Sequence, residues 1–158
     1  MPNTVKPQMS STNAIEKQIF LRAPRARVWR ALTDAREFGT WFGVSLDGPI
    51  EQGTWVYGRI THPGYAHVRL QMLVERVEPE VLFAYRWHPY AVEPNVDYSK
   101  EPMTLIEFAL EEVGGGTRLT ITESGFEAIP LARREQAYRA NEGGWEHQLR
   151  LVGKYLEN

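Results

Sequence analysis

MTLIEFALEEVGGGTRLTITES, residues 103–124, and LARREQAYRANEGGWEHQLRLVGKYL, residues 131–156, decide the architecture of this chain. In the first segment two alternating runs, Met103–Val113 and Thr117–Ser124, flank Gly114-Gly115-Gly116. Glycine adopts the positive φ that tight hairpins need, so the runs pair as a long antiparallel hairpin. Alternation puts Ile106, Phe108 and Leu110 on one face against Glu107 and Glu111, and turns Leu119 and Ile121 away from Arg118, Thr120 and Thr122. One face is therefore wet and the other covered. The cover is the second segment, whose Trp145, Leu149, Val152 and Leu156 recur at helical spacing. Gly143-Gly144 interrupts that helix, and each glycine costs about 1 kcal/mol against alanine. Close packing on the sheet or a simple kink would explain the pair, as would a hinge that opens a pocket.

Working back toward the N-terminus, Ala14–Arg22 reads as a half-exposed strand, and Pro24 opens a helix to about Asp34 with Val28, Ala31 and Leu32 on its buried face. Arg36–Gly43 forms a second small helix or tight turn that must dock Phe38, Trp41 and Phe42. Strand-like segments Val44–Leu46, Thr54–Thr61, Tyr65–Val77 and Val81–His88 follow, separated by Asp-Gly-Pro, His-Pro-Gly and Glu-Pro-Glu turn signals. The expected class is α+β, a curved antiparallel sheet with a long terminal helix. Residues 14–158 form one domain behind a polar, disordered leader, residues 1–13, that holds Pro2 and Pro7.

Composition narrows the function. A length of 158 residues suits one domain, and 42% apolar with 24% charged residues is ordinary for a soluble one. Eighteen Lys plus Arg against twenty Asp plus Glu leave a charge of -2, too little positive field for nucleic acid. The chain has no cysteine, which fits a reducing cytoplasm, and no apolar run long enough for a membrane span.

Ala23-Pro24 followed by Val28-Trp29 and Ala31-Leu32-Thr33-Asp34, then Trp41-Phe42-Gly43, TLIEFALEE, GGGTRLTITESGF and GGWEHQLRLVGKYL, stand in one order over Ile15 to Leu156. In this the chain resembles the bacterial proteins similar to the C-terminal domain of the activator of the ninety-kilodalton heat-shock protein's ATPase, within the START-like, polyketide-cyclase superfamily. The resemblance implies a helix-grip fold, in which a seven-stranded antiparallel sheet grips a long C-terminal helix and two short helices follow the first strand. It also implies an apolar ligand between sheet and helix, and suggests contact with a chaperone.

Candidate wall residues for such a ligand are Trp41, Trp55, Tyr57, Phe83, Tyr85, Trp87, Phe108, Trp145 and Leu149. Trp55 and Tyr57 share one alternation set and Phe83, Tyr85 and Trp87 another; either set can face the helix, and such rings also simply fill cores. Glu123 follows Leu119 and Ile121 in alternation, so it either presents a carboxylate to the ligand or ends the strand in solvent. The loop Pro89–Pro102 is long for neighbouring strands and, with Tyr90 and Tyr98, either borders the mouth or is a passive exposed connection. His62, His67, His88 and His147 lack metal-site spacing, there is no nucleophile elbow, and no cofactor is expected. Arg22, Arg25, Arg27 and Arg30 form a solvated face or receive an acidic partner. Non-enzymatic binding of a small apolar molecule is the first functional expectation. A chaperone-associated stress-response role and a cyclase or aromatase using Tyr57, Tyr85 and Glu123 are the alternatives. The sequence leaves the oligomeric state open.

Overall fold

The computed structural model describes residues 14–157, so the expected leader lies outside the described residues. Seven strands among them form one antiparallel sheet in the order β1-β7-β6-β5-β4-β3-β2. These are β1 Ala14–Leu21, β2 Val44–Leu46, β3 Trp55–Ile60, β4 Arg69–Glu78, β5 Leu82–Trp87, β6 Thr104–Val113 and β7 Gly116–Ser124. Helices α1 Arg25–Thr33 and α2 Ala35–Phe42 follow β1, a 3-10 turn spans Phe126–Ala128, and α3 runs Leu131–Glu157. This is the helix-grip arrangement.

The expected hairpin is β6–β7, with Phe108 opposite Ile121 and Leu110 opposite Leu119, and Gly115 supplies the positive φ of 85°. β4 starts later than the sequence suggested, at Arg69, because residues 62–68 close a turn in which Tyr65 N–H donates to the His62 carbonyl and Val68 N–H to that of Tyr65. Between Val74 and Arg76 the β4–β5 register shifts by one residue, a bulge that bends the sheet.

Pro24 caps α1 rather than starting it, its carbonyl accepting from the Arg27 and Val28 N–H groups. Asp34 ends α1 and begins α2, its Oδ1 accepting from the Arg36 and Glu37 N–H groups at 3.0 Å. Glu37 then ties both short helices to α3 by accepting hydrogen bonds from Arg27, Arg30 and Tyr155, each at 2.8 Å. Burial alone pushes the Glu37 carboxyl up, but the three hydrogen bonds outweigh it and hold the group below its ordinary range. Two of the four arginines around α1 are thus engaged within the fold.

α3 is continuous through Gly143 and Gly144, and a Cβ at either would meet nothing within 4 Å among the described residues. Close packing therefore does not explain the pair; Gly153 is the α3 glycine that approaches the sheet, 3.3 Å from Ile19 Cδ1 for a notional Cβ. Replacing Gly143 and Gly144 by Ala is expected to stabilise the protein by about 1 kcal/mol each, read from urea midpoints. An unchanged or lower midpoint would mean that α3 uses the freedom of these glycines.

Candidate functional site

The inner face of the sheet is built in transverse rows. One row runs Ile15–Glu123–Ile106–Tyr85–Val74 across β1, β7, β6, β5 and β4, and the next passes through Ile121, Phe108 and Phe83. Trp87 lies opposite Thr104. Above them α3 lowers Ala137, Trp145, Leu149 and Val152, while α2 inserts Phe38, Trp41 and Phe42 from the side. The rings meet edge to face or stacked. Trp87 and Trp145 lie 5.6 Å apart at 26°, Phe42 is 6.2 Å from Trp145, and Phe108 is 5.8 Å from it.

Of the sequence candidates, Phe83, Tyr85, Trp87, Phe108, Trp145 and Leu149 come together here, and Trp41 stands behind Phe42 with its indole N–H given to the Ala31 carbonyl at 2.8 Å. Trp55 and Tyr57 do not join them. They stack on each other on the outer face, 43% and 48% exposed, because the β3 residues turned inward are Val56 and Gly58. Gly58 sits where a Cβ would come within 2.7 Å of the Ser45 carbonyl oxygen, so this part of the sheet has no room for rings inside.

Glu123 is fully buried, which rules out the solvated strand end. Four donors converge on it: Trp87 Nε1 at 2.9 Å, Thr104 Oγ1 at 2.6 Å, Trp145 Nε1 at 2.7 Å, and Asn141 Nδ2 at 3.0 and 3.1 Å. Among the described residues no Lys, Arg or His forms an ion pair with it. One carboxylate thereby joins β5, β6, β7 and α3 through hydrogen bonds from uncharged donors.

Tyr85 is the complement of Glu123. Its ring packs against Phe83, Trp87 and Phe108 at 5.5, 5.4 and 6.0 Å, it is 0% exposed, and its hydroxyl has no hydrogen-bond partner among the described residues. Burial pushes the phenol well above its ordinary pKa, and the negative charge of Glu123 pushes the same way. Gln148 Oε1 is also buried without a partner, while its Nε2 donates to the Phe42 carbonyl at 3.2 Å.

Arg133, which the sequence did not single out, fastens the Pro89–Pro102 loop to the first turn of α3. It makes hydrogen bonds to both oxygens of Glu101, at 2.8 Å for the shortest, and donates to the Pro89 and Tyr90 carbonyls at 2.9 and 3.1 Å, with Tyr98 under its guanidinium at 4.8 Å. The loop is therefore clamped to α3. Two surface hollows, of about 410 and 570 Å³, lie elsewhere: one beside Arg22, Pro24 and Glu112, the other beside Arg36, Thr40 and Asp47. Among the described residues no His, Asp and Glu side chains gather as a metal site, and no helix is long and apolar enough to cross a membrane.

Comparison with known proteins agrees with this architecture. Protein MLL2253 from Mesorhizobium loti is 22% identical with a TM-score of 0.72, the match covering 91% of this chain and 96% of that one. The Aha1 dimer from Colwellia psychrerythraea is 19% identical with a TM-score of 0.69, over 91% and 96%. DynU16, from the dynemicin biosynthetic locus, is 23% identical with a TM-score of 0.71, over 92% of this chain but 48% of DynU16, so this chain spans about half its length. No curated protein matches. The family profile described as Activator of Hsp90 ATPase homolog 1-like protein matches residues 22–157, and with the helix-grip fold this shows that the chain belongs to that family.

Proposed function

We propose that this protein binds a small, largely apolar ligand between α3 and the inner face of β5–β7, without chemical conversion. The single observation that carries the reading is the Tyr85 hydroxyl, sealed among aromatic rings with no partner among the described residues. Burying a hydroxyl unpaired costs about 1–3 kcal/mol, a cost that a ligand's hydrogen bond removes. Phe42, Trp87, Phe108 and Trp145 supply large rigid walls with little side-chain entropy to lose. Their rings touch, so a ligand seats by parting α3 and its clamped loop from the sheet. A cytoplasmic setting goes with this reading.

Native mass spectrometry of gently purified protein tests it: a co-purified small molecule, or saturable uptake of apolar probes, is the expected result. A folded protein that takes up no probe at any concentration would end the proposal.

A second reading, contact with the chaperone in the family's name, is favoured by the half-exposed Trp55–Tyr57 stack on the outer face. Equal retention of the wild type and a Trp55→Ser, Tyr57→Ser variant on immobilised chaperone would exclude that surface.

A further inference from the structure

The polar groups that meet the aromatic interior are not equivalent. The oxygens of Glu123 accept from Trp87, Thr104, Asn141 and Trp145. A carboxylate offers about four lone-pair sites, so this one is saturated and has none left for a ligand donor. The two indole N–H groups are spent on the same carboxylate and cannot serve a ligand acceptor. Two buried atoms remain without a partner among the described residues: Gln148 Oε1, on the amide held at the Phe42 carbonyl, and the Tyr85 hydroxyl, which is enclosed by Phe83, Trp87 and Phe108 and able to donate.

Charge narrows the choice further. An anionic ligand would enter beside the negative charge of Glu123, in a low-dielectric interior where like charges repel strongly. No described Lys, Arg or His is paired with that charge to offset it. An ammonium has three N–H donors to satisfy, but the Glu123 oxygens are taken and only Gln148 Oε1 and the Tyr85 oxygen are unpartnered among the buried side chains described, while Trp87 and Trp145 each cover one face of the other at 26°. Resting on the binding reading above, we infer that the site selects a neutral ring system bearing a carbonyl or ether oxygen, which accepts the hydrogen bond of Tyr85. Carboxylates, phosphates and ammonium groups are discriminated against by the same arrangement.

The test is isothermal titration of the intact protein with four probes of one ring size: naphthalene, acetylnaphthalene, naphthoate and naphthylmethylammonium. Acetylnaphthalene is expected to bind about fivefold to tenfold tighter than naphthalene, as one neutral hydrogen bond in a buried site provides, and naphthoate more than about tenfold weaker than the ketone. In Tyr85→Phe the ketone should fall to the naphthalene level, while naphthalene itself changes by less than about twofold. Naphthalene probes the apolar walls alone and so separates the two ideas. If naphthalene binds but the ketone gains nothing over it, or either charged probe binds tightest, or Tyr85→Phe keeps the ketone's advantage, the selection rule is wrong and the binding reading survives. If no probe binds the folded wild type, both are overturned.

Discussion

Glu123→Leu is expected to lower stability by about 3–5 kcal/mol, the larger of the two strongest effects anticipated for this protein. The substitution removes the acceptor for two indoles, a hydroxyl and an amide, of which Thr104 and Trp145 are themselves buried. Each buried donor left unpaired costs about 1–3 kcal/mol, and partial rearrangement keeps the sum below simple addition. For a chain of this length the melting temperature should drop by roughly 8–15 °C. Glu123→Gln keeps one carbonyl acceptor but turns an amide NH₂ toward donors, so its loss should be smaller though still above about 1 kcal/mol. The origin of the effect is testable by a cycle: in a Trp87→Phe, Trp145→Phe background two of the donors are gone, and Glu123→Leu should then cost distinctly less. A cost that is the same in both backgrounds would mean that Glu123 does not act through the indoles.

Gly39→Ala is expected to destabilise by about 2–3 kcal/mol, although alanine is the better helix former by about 1 kcal/mol. Gly39 lies inside α2, and a Cβ there would overlap the backbone carbonyl oxygen of Val44, the first residue of β2. Neither side of that contact is a flexible chain end, so α2 must move away from β2, and Phe38, Trp41 and Phe42 would move with it. Urea denaturation of this variant beside the Gly143→Ala, Gly144→Ala protein should give shifts of opposite sign. The same substitution thus separates a glycine required by contact from two that touch nothing.

The sheet hairpin and its helical cover were legible because both faces of β6 and β7 alternate cleanly and α3 repeats its apolar residues at helical spacing. The Glu37 knot and the clamp of Arg133 on the Pro89–Pro102 loop were not, since each joins residues far apart in the chain through hydrogen bonds that periodicity does not encode. Trp55 and Tyr57 were ambiguous for a different reason. Aromatic bulk suggests burial, yet the alternate β3 positions hold Val56 and Gly58, and close approach of β2 there leaves space only for small residues. For β5 the facing set was left open as well, although Arg86 between Tyr85 and Trp87 is a charge that fits the outer face. The environment of Glu123 followed from alternation only as far as its side of the sheet. Its four partners come from three other elements, so the saturation of the carboxylate, and with it the free valence of Tyr85, emerges only on folding.

The pairing of two indoles on one acceptor, with their planes nearly parallel, gives the protein a built-in optical gauge. Chromophores held so close couple their electronic transitions, so any lifting of the terminal helix should change the circular dichroism of both in the aromatic region at once, while the exposed Trp55 contributes a constant background. Occupancy of the interior can thereby be followed in unlabelled protein, without a reporter group to disturb it.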